Sequence, residues 1–521
     1  MTDPNSNRTS SLDNDESLTD LEGEPASVSS PIISNLPEEI LSLIFLEAFE
    51  ELEEIEYLGC PTPSSTLVPL NVSWVCSRWR QAAILTPQLW TSVTLMSDKK
   101  IPTVSDRELL KLYISRSGDV LPLSFVIDYR VLENIEDPKY MKEGQKTMQQ
   151  IIETLKKVQN RWQVLAVCSP FTDSLYDYID CLRHGAPSLE YLSLSSSEGL
   201  TNQRQIKQKS NENTTIDLRL CPQLSAVSLF NPRHWVTLNP LQSSDPLKNL
   251  TSLELEHTRS QPDAFDWLLS CPYLEYLTIR FYAARPFALP FAPILTLQQL
   301  THFALRCYSG QDDTDPEEIQ MVDSDPVVFL SLLKLPALRN FSLYMNGQVE
   351  VGPREPWSHV RELLQRSDRP QLTSLELLGT PMYASDLVEV LQITPSLKVL
   401  CVDGGLTTEG FCQLLSHTPD QALLCPSLES LRLYGYYREF EPLVKMVTSR
   451  SHRSSRVAEN SEEVSSADID DLVSTLKTLT LVYRKDAERV NIEENSGLSS
   501  LRSNGTNINQ SRMSPLLWYN P

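Results

Sequence analysis

Cys271-Pro272-Tyr273-Leu274-Glu275-Tyr276-Leu277-Thr278-Ile279 is one of ten similar stretches in this 521-residue chain. With Leu274 as position one, apolar residues stand at positions one, four and six. The other copies are Leu189-Leu192-Leu194, Leu224-Val227-Leu229, Leu250-Leu253-Leu255, Leu300-Phe303-Leu305, Leu338-Phe341-Leu343, Leu372-Leu375-Leu377, Leu397-Leu400-Val402, Leu428-Leu431-Leu433 and Leu476-Leu479-Leu481. In an extended strand, positions four and six point to one side, while three, five and seven point to the other. A single strand cannot bury such a row, so the copies must stack on one another.

The closest first positions lie 24 to 26 residues apart (224 to 250, 250 to 274, 274 to 300, 372 to 397), the period of leucine-rich repeats. Helical spacing fills the intervals, as in Phe265, Leu268 and Leu269 after Pro262-Asp263, or Leu387, Val390 and Leu391 after Ser385-Asp386. Each unit therefore reads as one strand and one helix. The resulting fold class is α/β: a curved, leucine-rich-repeat-like solenoid with a parallel sheet over residues 186–485. The asparagine often found at position nine of such repeats stands clearly only at Asn346, with Ser197, Pro232, Thr258 and Tyr282 elsewhere, so the solenoid is expected to be irregular. Strand-like pieces at Val93 to Leu95, Leu123 to Ile127 and Val164 to Val167, with a helix carrying Met148, Ile151, Ile152 and Leu155, predict degenerate units over residues 97–185.

Hydrophobic residues make up 40% of the chain, ordinary for a folded protein, but they are unevenly spread. Residues 1–31 and an insert at about 449–470 have the polar composition of disordered segments, and residues 486–521 read as a polar tail. A net charge of −23 and a pI near 4.8 argue against nucleic acid as a partner, because phosphate binding draws on clustered Lys and Arg. Arg204, Lys207 and Lys209 read as part of a solvated linker. No membrane-binding signal is found, and no apolar run is long enough to span a bilayer.

The ten cysteines are scattered, and Cys221, Cys271 and Cys425 recur at one place just before a repeat's proline. They read as small buried side chains, not disulfides. With a polar, acidic N-terminus lacking a signal-peptide pattern, a cytoplasmic or nuclear location is expected, where Asn249-Leu250-Thr251 would not be glycosylated.

Upstream stands Asn35-Leu36-Pro37-Glu38-Glu39-Ile40-Leu41-Ser42-Leu43-Ile44-Phe45-Leu46. Proline in a first turn followed by two glutamates is a helix start, because no amide hydrogen is lost and the negative charges suit the helix dipole. Ile40, Leu41, Ile44 and Phe45 form its apolar face. A second amphipathic helix is predicted over Val72 to Ala83, through Trp74-Val75-Cys76-Ser77-Arg78-Trp79-Arg80, followed by Thr86-Pro87-Gln88-Leu89-Trp90.

This ordered trio resembles the F-box, and most closely the F-box-like proteins abundant in mushroom-forming fungi, over residues 33–95; the module is bounded at 32–96. The resemblance implies three helices that dock on a Skp-type linker protein and, through it, a cullin. It places Leu36, Pro37, Ile40, Leu41, Ile44, Phe45, Val75, Cys76 and Trp79 at docking or module-core positions. The sequence departs from the compact pattern through the acidic run Glu47 to Glu56 and Cys60-Pro61-Thr62-Pro63-Ser64-Ser65. The acidic run reads as a solvated helix extension.

In the repeats, the side chains facing away from the core are the candidate substrate contacts. Phe230, Arg280, Arg306, Tyr344, Arg432 and Tyr434 have the aromatic and arginine bias of protein-binding surfaces. The sequence has no Gly-x-Ser-x-Gly elbow, phosphate-binding glycine loop or His-Glu-x-x-His motif, so no catalytic residue, metal site or cofactor is expected. Cys181 with His184, and Cys412 with His417, read as local helix packing. Two functions stay open: a substrate-recruiting adaptor of an SCF-type cullin-RING ubiquitin ligase, or a protein-binding repeat scaffold whose N-terminal helices only cap the solenoid.

Overall fold

The computed structural model of the protein describes residues 36–53, 63–96, 101–129, 138–196, 214–230, 236–238, 247–285, 293–308, 326–346, 357–403, 406, 409–416, 423–435, 440–459, 476–483, 492–493 and 495–512. The segment 1–31 lies outside them.

The chain opens with three helices, α1 (Glu38–Glu53), α2 (Pro63–Val75) and α3 (Ser77–Ile84). The expected single helix over Val72 to Ala83 is thus two, broken at Cys76. The extended backbone of Cys76 places its Sγ 3.4 Å from the Trp79 amide, which donates to it and starts α3. A 3-10 turn at Pro87–Trp90 then leads into β1 (Ser92–Met96). Trp90 joins these helices to the first repeat unit: its indole Nε1 donates to Ala83 O at 2.8 Å, and its ring meets Tyr113 at 5.0 Å.

Helices and strands alternate from there: α4 (Val104–Arg116), β2 (Leu123–Asp128), α5 (Pro138–Lys156), β3 (Trp162–Ser169), α6 (Thr172–Leu182), β4 (Tyr191–Ser196), β5 (Thr214–Ile216), β6 (Ala226–Phe230), β7 (Val236–Leu238), β8 (Ser252–Ser260) and α7 (Gln261–Ser270). The middle units hold β9 (Tyr276–Arg285), β10 (Leu295–Thr296), β11 (His302–Tyr308), α8 (Val327–Ser331), β12 (Leu333–Lys334), β13 (Asn340–Asn346), α9 (His359–Arg366) and β14 (Ser374–Leu378). The series ends with α10 (Ala384–Gln392), β15 (Val399–Asp403), α11 (Glu409–Leu415), β16 (Ser430–Tyr434), α12 (Glu441–Glu459), β17 (Thr478–Tyr483), α13 (Ser496–Ser503) and β18 (Asn507–Arg512).

Fourteen of these strands form one sheet in the order β1-β2-β3-β4-β6-β8-β9-β11-β13-β14-β15-β16-β17-β18, and every neighbouring pair is parallel. β5 with β7 and β10 with β12 make two small parallel pairs. The fold is an α/β, leucine-rich-repeat-like solenoid, and the early strands at β1, β2 and β3 are full members of it.

The register explains why the repeat spells as it does. Leu253, Leu277, Phe303, Phe341, Leu375, Leu400, Leu431 and Leu479 lie side by side on successive strands as position four, and all are buried. Full burial of one such side chain contributes roughly 1.5–3 kcal/mol. A backbone ladder holds the same register at the strand starts. The position-two carbonyls of Glu190, Ser225, Thr251, Glu275, Thr301, Arg339, Thr373, Lys398 and Glu429 each accept two amides from the next unit, at 2.7 to 3.1 Å. The hydroxyls of Thr251, Thr301 and Thr373 donate to the same row.

Two expectations need correction at the C-terminal side. The stretch from 449 has the composition of a disordered insert, yet α12 runs to Glu459, and Arg450 lies fully buried on it with its guanidinium donating to the carbonyls of Leu415, Leu424 and Cys425. Residues 460–470 lie outside the described residues. Residues 486–521 have the composition of a polar tail, but α13 and β18 add a further unit, with Leu498 and Leu501 buried. Its strand reads as polar because, of Asn507-Ile508-Asn509-Gln510-Ser511, only Ile508 is buried.

The cysteines preceding the repeats are buried free thiols, and burial raises Cys221 to about 11 and Cys425 to about 12. Among the described residues, no helix is long and apolar enough to cross a membrane.

Candidate interaction surfaces

On the N-terminal helices, the structure separates two sets of apolar residues that the sequence could not divide. Leu41 and Phe45 are 1% exposed and belong to the core, with Phe45 packed on Trp79 at 5.0 Å between ring centroids. Leu36 and Trp79 are half-buried against that core. Pro37 and Cys76 are exposed, and so are Ile40 (41%), Ile44 (47%) and Val75 (61%). The Arg78 guanidinium donates to the Leu36 carbonyl, fixing the start of α1 on α3.

Sequence reasoning missed Leu43, Leu67, Trp74 and Leu85, all large apolar side chains in solvent. Ile40, Leu43 and Ile44 follow one another at helical spacing, so they share a face of α1. Leu67 and Trp74 share a face of α2 in the same way. Trp74, at 73% exposure, stands out from its own helix while Trp79 turns inward from the next. Cys76 separates the two, as α2 ends at Val75 and α3 begins at Ser77.

The second surface is the sheet face turned away from the leucines. At position seven, Arg280 makes a two-pronged ion pair with Glu256, Nη2 to Oε1 at 2.8 Å and Nη1 to Oε2 at 3.1 Å. Burial pushes the Glu256 carboxyl above the usual range, against the pull of Arg280. Arg306 lies beside Arg280 in register, and Tyr344 follows on the next strand. Phe230, Arg306 and Tyr434 are half-buried, and Arg432 is exposed. Tyr344, expected to face a partner, is instead only 5% exposed, in a cluster with Tyr308, Leu378 and Cys401 against which Tyr434 packs. Burial accordingly raises the Tyr434 phenol to about 12.

Positions three and five of the middle strands make a trough of about 250 Å³. Thr278, Ala304 and Ser342 are its small position-five residues, side by side in register. The Tyr276 ring stacks on His302 along one wall, 4.4 Å between centroids and 18° between planes. Glu376 stands at the end, its carboxylate accepting from Ser342 Oγ at 2.9 Å and Cys401 Sγ at 3.4 Å.

Cys181 is buried, donates to Asp177 O at 2.9 Å and is raised to about 11 by burial. Cys412 is buried and raised in the same way, and His417 lies outside the described residues. Among the described residues, no group of three or more His, Cys, Asp or Glu side chains is placed to share a metal ion.

No protein-family model matches the sequence, and no curated protein does.

Proposed function

We propose that the chain is a non-catalytic adaptor of an SCF-type cullin-RING ubiquitin ligase. The N-terminal helices hold a Skp-type linker, and the open sheet face recruits a protein substrate. The observation that carries the first half is the row of apolar side chains left in solvent on α1 and α2, chiefly Ile40, Leu43, Ile44 and Trp74. Aromatic and aliphatic anchors of this kind dominate protein interfaces when a partner covers them. The F-box-like order of Leu36-Pro37, Trp79 and Leu89-Trp90 supports a Skp-type linker as that partner. The mechanism is tethering: the adaptor raises the effective concentration of a substrate lysine beside the charged conjugating enzyme, with no catalytic group of its own. Such an adaptor works in the cytosol or nucleus. Size-exclusion chromatography of the full chain with a purified Skp-type linker tests it. Co-elution, lost in Ile44→Asp, supports the reading, and separate elution of a folded wild type sinks it.

A second reading rests on a different observation. One core runs without a break from Leu41 and Phe45 through Val93 and Leu95 into the repeats, so the helices also cover the open end of the sheet at β1. On this reading the chain is a protein-binding scaffold without a ligase. Unfolding of the repeats on deletion of residues 1–96, with no linker binding by the intact chain, favours it.

A further inference from the structure

We propose that the groove between α4 and α5, on the helical side of the first repeat units, is a docking site for an acidic segment of the same chain, residues 13–24. Those residues lie outside the described ones, and the chain that carries them enters the described fold at Leu36.

The groove has a volume of about 370 Å³, and its lining sets four cations, Arg107 and Lys111 of α4, Lys146 of α5 and Lys157 just beyond it, against one carboxylate, Glu153. The cations are unequally satisfied. The Arg107 guanidinium is held by Gln150 Oε1 and shares Glu108 Oε1 with the Lys111 ammonium, at 2.7 and 3.0 Å. Glu153 is drawn to Lys156, 3.6 Å away and outside the lining. Lys146 and Lys157 are exposed, and neither makes an ion pair with a described residue. Together α4, α5 and Lys157 carry eight Lys and Arg against four Asp and Glu, in a chain whose net charge is −23. The next helix, α6, packs on α5 and carries three aspartates and no Lys or Arg, so the excess of cations ends there.

The layout of the cations selects the form of the anion. Lys146 and Lys157 stand about 16 Å apart along the helix axis, at 1.5 Å per residue. A single phosphate or carboxylate cannot reach both, whereas about five residues of extended chain span them at roughly 3.3 Å each. Asp13-Asn14-Asp15-Glu16-Ser17-Leu18-Thr19-Asp20-Leu21-Glu22-Gly23-Glu24 offers six carboxylates with no Lys or Arg among them. Attachment favours this segment over a foreign one. A separate acidic protein approaches against the field of a strongly anionic chain, whereas a tethered segment is present at an effective concentration on the order of millimolar. The tether is long enough, because the chain from Glu24 to Leu36 extends to about 40 Å. α1 packs on the turn that carries Trp90, and that turn packs on α4. The groove is thus two packing distances from α1, roughly 10 Å each, and at most the length of α4, about 20 Å, along it. A second acidic run, Asp312 to Asp325, is instead tied at both ends, to Tyr308 and Pro326, six strands from β2 in the sheet.

Carbodiimide coupling, which joins a carboxylate to an amine only in direct contact, tests the docking on the full chain at low ionic strength. In the monomer band, mass spectrometry should find residues 13–24 joined to Lys111, Lys146 or Lys157 at least tenfold more often than to Lys248 or Lys398. Salt at about 0.5 M, which screens exposed charges, should remove those products. A second measurement follows a labelled peptide of residues 11–26 by fluorescence anisotropy. It should bind the full chain carrying Asp13→Asn, Asp15→Asn, Glu16→Gln, Asp20→Asn, Glu22→Gln and Glu24→Gln at least tenfold more tightly than wild type, whose own segment fills the groove. Adding Lys146→Gln and Lys157→Gln, at exposed positions that leave the fold intact, should abolish most of that binding. Coupling spread evenly over the lysines, coupling confined to a dimer band, or coupling of Asp312 to Asp325 or Glu47 to Glu56 in place of residues 13–24 overturns the docking. Equal peptide binding by the neutralised and wild-type chains, or binding that survives the lysine replacements, overturns it as well.

Discussion

Nη1 of Arg450 lies 3.1 Å from the carbonyl oxygen of Cys425, and the same fully buried guanidinium also holds the carbonyls of Leu415 and Leu424. Among the described residues no carboxylate neutralises it; burial pushes it down to about 10, so the charge is tolerated for the sake of the carbonyls it satisfies. Those carbonyls belong to the end of α11 and to the approach to β16, where Cys425 has a left-handed backbone with φ 49°. Arg450→Leu strands all of them and should cost about 3 kcal/mol in a denaturant titration. Arg450→Lys, which cannot reach three oxygens at once, should fall between it and wild type. Wild-type stability for Arg450→Leu would show that the loop finds other partners.

Gly379 follows β14 at φ 63°, and a Cβ placed on it would lie 1.8 Å from Met345 O in the neighbouring unit. The Gly379 amide also donates to Asp403 Oδ2 at 2.6 Å, so the turn is tied on both sides and cannot retreat. Gly379→Ala should therefore lose well over about 1 kcal/mol. Thermal unfolding checks it, and an unchanged midpoint would contradict the geometry.

His302, stacked under Tyr276, is held below its ordinary value of 6.5 by burial. A base whose pKa falls on folding binds fewer protons in the native state than in the unfolded one across the window between the lowered value and 6.5. Its contribution to stability is thus full above pH 6.5 and declines as pH falls through that window. Imidazole resonances followed by NMR should give His302 a midpoint below 6.5, and His302→Gln should flatten this part of the stability profile. A midpoint at or above 6.5 would refute the sign.

Ending the chain at residue 494 removes α13 and β18, exposing the hydrogen-bonding edge of β17 and the surface that Leu498 and Leu501 cover. Terminal units of solenoids protect the stack in this way. The truncated protein should melt at a lower temperature and scatter light on concentration. Unchanged melting and solubility would mean that the last unit is dispensable.

The repeats are legible because their requirement is local: leucines at positions one, four and six must alternate to face one core, and that pattern survives in the sequence wherever insertions fall between units. The unit of β18 is not, because among the described residues that strand pairs with β17 alone and buries little apolar surface, and Ile508 alone does not spell a repeat. Arg450 is hidden for a related reason. A basic residue in a Ser/Arg-rich stretch looks solvated, and only the fold brings three carbonyls to it. On the N-terminal helices, residue types announce an apolar module, but whether Phe45 or Ile44 faces the core depends on how three helices pack. The side chains most available to a partner, Leu43 and Trp74, therefore cannot be told from their buried neighbours by residue type.

Trp74 and Trp79 give the most direct test of the adaptor, because they stand one helix break apart, one in solvent and the other against Phe45. Isothermal titration of a purified Skp-type linker into the full chain, with melting curves on the same samples, should show Trp74→Ala binding at least tenfold more weakly at an unchanged melting temperature. Trp79→Ala should instead lose about 2 kcal/mol or more of stability through its packing. Wild-type affinity for Trp74→Ala, or no heat of binding from a folded wild-type chain, would contradict the account.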